Sequence, residues 1–127
     1  MKGILWLAAK SQSVPKEPIF EQVAKHFHVT LQFGVESTGY SHLVGREVEV
    51  RVEAVCFNDR VEALSVSLPE DIRQLCQNAH PHMTISMAPG VKPVESNVML
   101  SSQHNRAPVS YTIQTVVEFS PFNNNGS

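Results

Sequence analysis

The sequence predicts an α+β domain: two antiparallel sheets related by a pseudo-twofold axis, helices on the outer faces and a central cleft. Three observations predict it. A His-x-Thr pattern occurs twice, as His28-Val29-Thr30-Leu31 and as His82-Met83-Thr84-Ile85. The order strand, helix, His-bearing strand, strand runs twice along the chain. Each half ends in a strongly alternating run, Arg46 to Val55 and Val109 to Phe119. Two such units bury their apolar faces by packing against one another.

The elements follow in order. Gly3 to Ala9 is a short apolar run and reads as a buried strand. Lys10 to Pro15 is polar and loops. Pro18 to Ala24 starts with the residue favoured in a first helical turn and places Ile19, Phe20 and Val23 on one face, which predicts a short helix. His28 to Val35 alternates as a strand, and Glu36 to Gly45 loops. Arg46 to Val55 sets Val48, Val50, Val52 and Ala54 against Glu47, Glu49, Arg51 and Glu53, a strand with one wet face. Asn58-Asp59 turns the chain, and Val61 to Leu68 returns it. Pro69 opens a second helix with Glu70 and Asp71 where the macrodipole favours acids, and Ile72, Leu75, Cys76 and Ala79 at helical spacing. The second His strand runs from His82 to Ala88, and Pro89-Gly90 turns. A short helix is expected from Pro93, a polar loop over 101–108, and a last strand with Val109, Tyr111, Ile113, Val117 and Phe119 inward. Residues 1–122 form one domain in this reading, with halves of about 1–58 and 59–122, and 123–127 form a tail.

Composition bounds the function. A chain of 127 residues with 42% hydrophobic and 17% charged residues builds one real core. The net charge is −2, with no basic excess of the kind that grips long nucleic acid, so a small nucleotide or an RNA end is the nucleic-acid ligand that fits. Cys56 and Cys76 lack zinc-like spacing and read as buried thiols in a reducing compartment. No apolar run approaches the ~18–20 residues that cross a bilayer, and Ile4 to Ala9 is too short for a signal segment. The expected location is intracellular, cytoplasmic or nuclear, with no membrane partner.

The repeated motif carries the chemistry. Alternation turns Val29 and Leu31, like Met83 and Ile85, into the core. It turns His28, Thr30 and Gln32, and His82, Thr84 and Ser86, to the other side. Imidazole and hydroxyl then project about 7 Å apart along each strand, a spacing that holds one phosphate. Hydrolysis of a phosphodiester needs a proton taken from water and a proton given to the leaving alkoxide. Two imidazoles near pKa ~6.5 can divide those tasks at neutral pH. Two threonine hydroxyls can donate to the non-bridging oxygens. No carboxylate is placed to orient either imidazole, which leaves that task to backbone carbonyls.

The two motifs, on strands of a duplicated α+β domain, resemble those of the 2H phosphoesterase superfamily. The stretch Pro89 to Asn97 is similar to the loop after the second motif in the cyclic phosphodiesterase domains of fungal and plant-type tRNA ligases. The resemblance implies a bilobal fold, no cofactor, and catalysis by His28, Thr30, His82 and Thr84. It implies opening of a 2′,3′-cyclic phosphate at an RNA end, or of a cyclic nucleotide, to a 2′-phosphate in RNA repair or tRNA splicing. It also implies possible covalent linkage to ligase or kinase domains in a longer protein. The 54 residues separating His28 from His82 are few for that family and indicate a minimal core.

Other residues weigh less. Gln32 and Ser86 share the motif face, Tyr40 can stack on a base, and Lys92 can meet a phosphate; all four are candidate substrate contacts. Trp6 could stack on a base but reads better as core or rim packing, and Arg106 as a solvated cation. His26 and His80 repeat two residues ahead of the motifs; a metal pair is one reading and cleft-rim residues the better one, since no third ligand is placed. His42 and His104 read as loop residues. Two rival functions remain: a non-catalytic nucleotide- or RNA-binding module using the same cleft, and a His-rich metal-binding protein of the cupin sort, which lacks the downstream Glu and Gly spacing.

Overall fold

Strand alternation builds nearly everything in the molecule. The computed structural model describes residues 2–9, 18–24 and 26–122. Among them lie β1 (Lys2–Ala9), β2 (Gln22–Val23), β3 (His28–Glu36), β4 (Glu47–Phe57), β5 (Val61–Ser67), α1 (Glu70–Leu75), β6 (His82–Met87), α2 (Glu95–Leu100) and β7 (Asn105–Pro121), with a 3-10 turn at Ser37–Gly39. The strands form one antiparallel sheet in the order β2-β6-β3-β1-β7-β4-β5, and β5 pairs again with β6, closing a barrel. A single closed sheet thus stands where two sheets were expected. With its two short helices it remains compatible with the α+β class.

The barrel interior is filled from alternate positions. In β4, Val48, Val50, Val52, Ala54 and Cys56 are buried while Glu47, Glu49, Arg51 and Glu53 face solvent. The main core joins Leu5 and Leu7, Val29 and Leu31, Leu64, Met83, Ile85, Ile113 and Val117, and α1 adds Ile72. A second cluster of Ala54, Cys56, Val61, Ala63, Met87 and Val91 is covered by Met99 and Leu100 of α2. The two thiols are buried and free. No helix among the described residues is long and apolar enough to cross a membrane.

Three local expectations change, each because a tertiary contact takes the backbone. No helix forms over 18–24. The Ile19 N–H donates to Glu62 Oε1, the Phe20 N–H to Ser86 Oγ and the Ala24 N–H to Ile85 O, so this segment runs beside β6 as β2. The helix after Pro69 stops at Leu75, with Cys76 extended, because the next amide, Gln77 N–H, donates to Leu31 O of β3. The strand β7 starts inside the expected 101–108 loop, where Asn105 pairs with Phe57; Pro108 is accommodated beside a register shift in β4. The expected 10–15 loop and the 123–127 tail lie outside the described residues.

Two glycines are required by geometry. Gly90 turns the chain after β6 with φ 82°. Gly3 sits where β1 and β7 approach most closely: a Cβ there would run into Ser120 O and lie 2.7 Å from Pro121 Cα. Both obstacles are backbone, so neither can rotate away. The Gly3→Ala variant should lose about 1–3 kcal/mol of stability through overpacking of this seam. A urea unfolding midpoint unchanged from the parent would contradict that close approach.

Candidate active site

The two His-x-Thr strands meet at one point. Between β3 and β6 the bridge is Val29 opposite Met83. Both side chains point into the core and are 1% and 0% exposed. In an antiparallel pair that bridge sets His28 beside Thr84 and Thr30 beside His82, at the ~4.5–5.5 Å of directly opposed residues. All four line one cavity of about 930 Å³.

A bulge then ends each motif. Along β1, Trp6 pairs with Thr30 but its neighbour Leu5 pairs with Gln32, leaving Leu31 extra. Along β5, Ala63 pairs with Thr84 and Glu62 with Ser86, leaving Ile85 extra. A bulge redirects the side chains that follow it. Gln32 and Ser86 accordingly do not line the cavity. The Gln32 amide donates to Leu75 O at 3.0 Å and accepts from the Tyr40 hydroxyl. The Ser86 hydroxyl donates to Glu62 Oε1 at 2.6 Å. Of the four candidate substrate contacts, Lys92 lines the cavity, while Gln32, Tyr40 and Ser86 hold the fold around it.

The buried Glu62–Ser86 pair builds one wall. By accepting the Ile19 and Phe20 amides it fixes the segment whose Gln22, Val23 and Ala24 line the cavity. The helix α2 builds another. Arg60 holds Glu95 with two nitrogens at 2.6 and 2.8 Å, and buried Ser96 shares a 2.8 Å hydrogen bond with the Thr84 hydroxyl. Asn78, Val91, Pro93, Val94, Asn97, Ile4 and the exposed Phe33 also line the cavity. Sequence reasoning missed Glu62 and Ser96. Each is a single polar residue in an ordinary run, with no local pattern to flag it.

Each imidazole is oriented by a carbonyl two residues upstream. His28 Nδ1 donates to His26 O at 3.0 Å and His82 Nδ1 to His80 O at 2.8 Å. That fixes the tautomer and leaves Nε2 as the nitrogen available to the cavity. Burial pushes both imidazoles below the usual 6.5, since it disfavours the charged form; charge on His26 and His82 adds to the effect at His28, and charge on His80 at His82. His26 lies at the cavity edge and His80 is exposed outside it. Among the described residues no three His, Cys, Asp or Glu side chains gather as metal ligands would. Trp6, expected to pack in the core or at the rim, lines the cavity and lies against His28 with ring centroids 4.0 Å apart.

These shifts make stability depend on pH. The folded imidazoles bind protons less readily than the unfolded chain, so their contribution is present above about pH 6.5 and is lost as pH falls through the lowered folded values. Urea midpoints should be level from pH 8 to 7 and decline below 6.5. The double variant His28→Gln/His82→Gln should flatten that decline, and an equally steep decline in it would refute the assignment.

Comparison with known proteins follows the geometry. No curated protein sequence matches the chain. The fungal tRNA ligase phosphodiesterase domain matches residues 11–121, which includes both His-x-Thr strands. This agrees with the resemblance read from the motifs and implies a cyclic phosphodiesterase of tRNA splicing, with RNA as the class of substrate. Paired motifs, shared cavity and a match across most of its length together establish that the chain belongs to the fungal tRNA ligase phosphodiesterase domain family.

Proposed function

We propose that this protein hydrolyses the 2′,3′-cyclic phosphate end of RNA to a 2′-phosphate, without a metal, by acid–base catalysis from His28 and His82. The observation that carries this reading is the Val29–Met83 bridge, which crosses the motifs so that each imidazole neighbours the other strand's threonine. A cyclic phosphate seated between them meets a proton acceptor and a proton donor on opposite sides. Thr30 and Thr84 donate to its non-bridging oxygens, and Ser96 orients the Thr84 hydroxyl. Lys92 supplies a cation at the cavity for the phosphate or the adjoining RNA backbone.

The same reading makes the domain a duplication. Exchanging β1 with β5, β3 with β6 and β4 with β7 maps the six-stranded ring onto itself: β1–β3 exchanges with β5–β6 and β1–β7 with β4–β5, while β3–β6 and β4–β7 each map onto themselves. The bulges at Leu31 and Ile85 exchange as well. This supports halves of about 1–58 and 59–122 related by a pseudo-twofold axis through the Val29–Met83 bridge. An intracellular location, cytoplasmic or nuclear, and covalent linkage to ligase or kinase domains complete the proposal; a repair domain of this kind acts on RNA ends that a ligase then joins.

The test is incubation with a nucleoside 2′,3′-cyclic phosphate in chelator, with identification of the product. The expected product is the 2′-phosphate, at a rate the chelator leaves unchanged. His28→Ala and His82→Ala should each reduce turnover by at least about 10²–10⁴-fold, and the double variant should be little worse, because both groups serve one step. Thr30→Ala and Thr84→Ala should cost about 10–10³-fold. The profile of kcat/KM against pH should be a bell displaced to the acid side of a free imidazole. Near-normal turnover in His28→Ala, or loss in chelator restored by zinc, would overturn the mechanism; cyclic phosphate bound but never opened would leave a binding module.

A further inference from the structure

Beyond the motifs, β1 and β3 continue the cavity as an apolar ledge that the reaction at the phosphate does not use. Strict alternation from Leu31 would turn Phe33 into the core. The extra residue at Leu31 reverses that phase and sets Phe33 opposite Ile4, with both side chains lining the cavity. A second extra residue, Gly34, follows at once. Phe33 is thereby held between two irregularities with 68% of its surface open to solvent. Nor does it stand alone. Ile4 faces it, and the Phe122 ring lies beside it with centroids 5.1 Å apart at 50°. The Phe122 N–H donates to Lys2 O, which ties that neighbour to the start of β1.

The ledge has a fixed place relative to the motifs. Trp6 lies against His28, and Ile4 is the next side chain on the same face of β1. The step between them is two residues, about 7 Å along the strand. That is the scale of one nucleotide in an extended single strand. No Asp or Glu lines the cavity among the described residues, and Lys92 gives it a cation, so its charge suits a polyanion. Proteins hold single-stranded RNA by stacking its bases on aromatic faces, with cations following the phosphates.

We propose that the ledge is a subsite for the penultimate nucleotide of a single-stranded RNA end, whose base stacks on Phe33. The inference deepens the cyclic-phosphate reading above and rests on it. With the cyclic phosphate at His28 and His82, the terminal nucleoside fills the part of the cavity beside Trp6. The next base upstream then reaches the ring of Phe33. The end must be single-stranded there, since a base inside a duplex has both faces covered by its neighbours. The ledge makes the domain select an RNA end over a free cyclic mononucleotide. Stacking reads no base edge, so the selection is for chain length and not for sequence.

The test compares kcat/KM of the full chain on three substrates. They are a nucleoside 2′,3′-cyclic phosphate, a dinucleotide ending in the same cyclic phosphate, and that dinucleotide with an abasic ribose at its 5′ position. The parent should favour the dinucleotide over the mononucleotide by about 5–100-fold, the range one stacked base supplies. The abasic dinucleotide should fall back toward the mononucleotide. Phe33→Ala should abolish the preference for the dinucleotide, and Phe33→Trp should retain it. A ratio of two substrates on one preparation is unaffected by any loss of folded protein. A parent indifferent to the second nucleotide would overturn the inference. Equal losses of Phe33→Ala on both substrates would also overturn it, by making Phe33 part of the terminal-nucleoside pocket or of the scaffold. A preference that survives in the abasic substrate and in Phe33→Ala would assign the gain to the bridging phosphate, with the same consequence. No turnover of any of the three by the parent would bring down the cyclic-phosphate reading itself, and this inference with it.

Discussion

The contact on which the site depends is the packing of Val29 against Met83. The strands β3 and β6 touch through that single bridge, while each is zipped along its other edge, β3 to β1 and β6 to β5. Two fully buried apolar side chains, worth about 1.5–3 kcal/mol each, hold the closure from the core side. On the opposite face their neighbours in the chain, His28, Thr30, His82 and Thr84, line the cavity. A strand has only two faces, so anchoring one of them to the core commits the other to the cavity.

The bulges limit how far that logic runs. A regular strand would carry Gln32 and Ser86 into the cavity behind the threonines. The extra residue after each motif releases them to internal hydrogen bonds instead, where Ser86 with Glu62 fixes a cavity wall. From the two motifs the cavity keeps His28, His82 and the hydroxyls of Thr30 and Thr84, and its remaining surface is largely apolar. Such surroundings disfavour the charged form of both imidazoles and strengthen the electrostatic interactions made in the cavity. The carbonyl on each Nδ1 offsets part of that cost and sets the reactive nitrogen at the same time.

The surroundings of the two motifs are not identical. The pairings around them match closely, and the departures lie in single side chains. Trp6 against His28 is one departure, and Ser96 against Thr84 is another. Neither lies in a motif, and each comes from an element, β1 or α2, that packs against the motif strands.

Alternation alone determined the strands, the two faces of each motif and the four residues that converge, because a period of two is a local property of the chain. The apolar stripe of β4 and the acid-bearing first turn of α1 were legible for the same reason. Composition and the paired motifs also carried enough to point to the family. The closed ring, β2 in place of a helix, the bulges and the places of Trp6, Glu62 and Ser96 belong to the tertiary structure. Each is fixed by a hydrogen bond or ring contact between residues far apart in the chain: Glu62 with Ile19, Ser96 with Thr84, Trp6 with His28. An amphipathic segment such as 18–24 suits a helix by its own spacing, and only the acceptors waiting on β5 and β6 make it a strand.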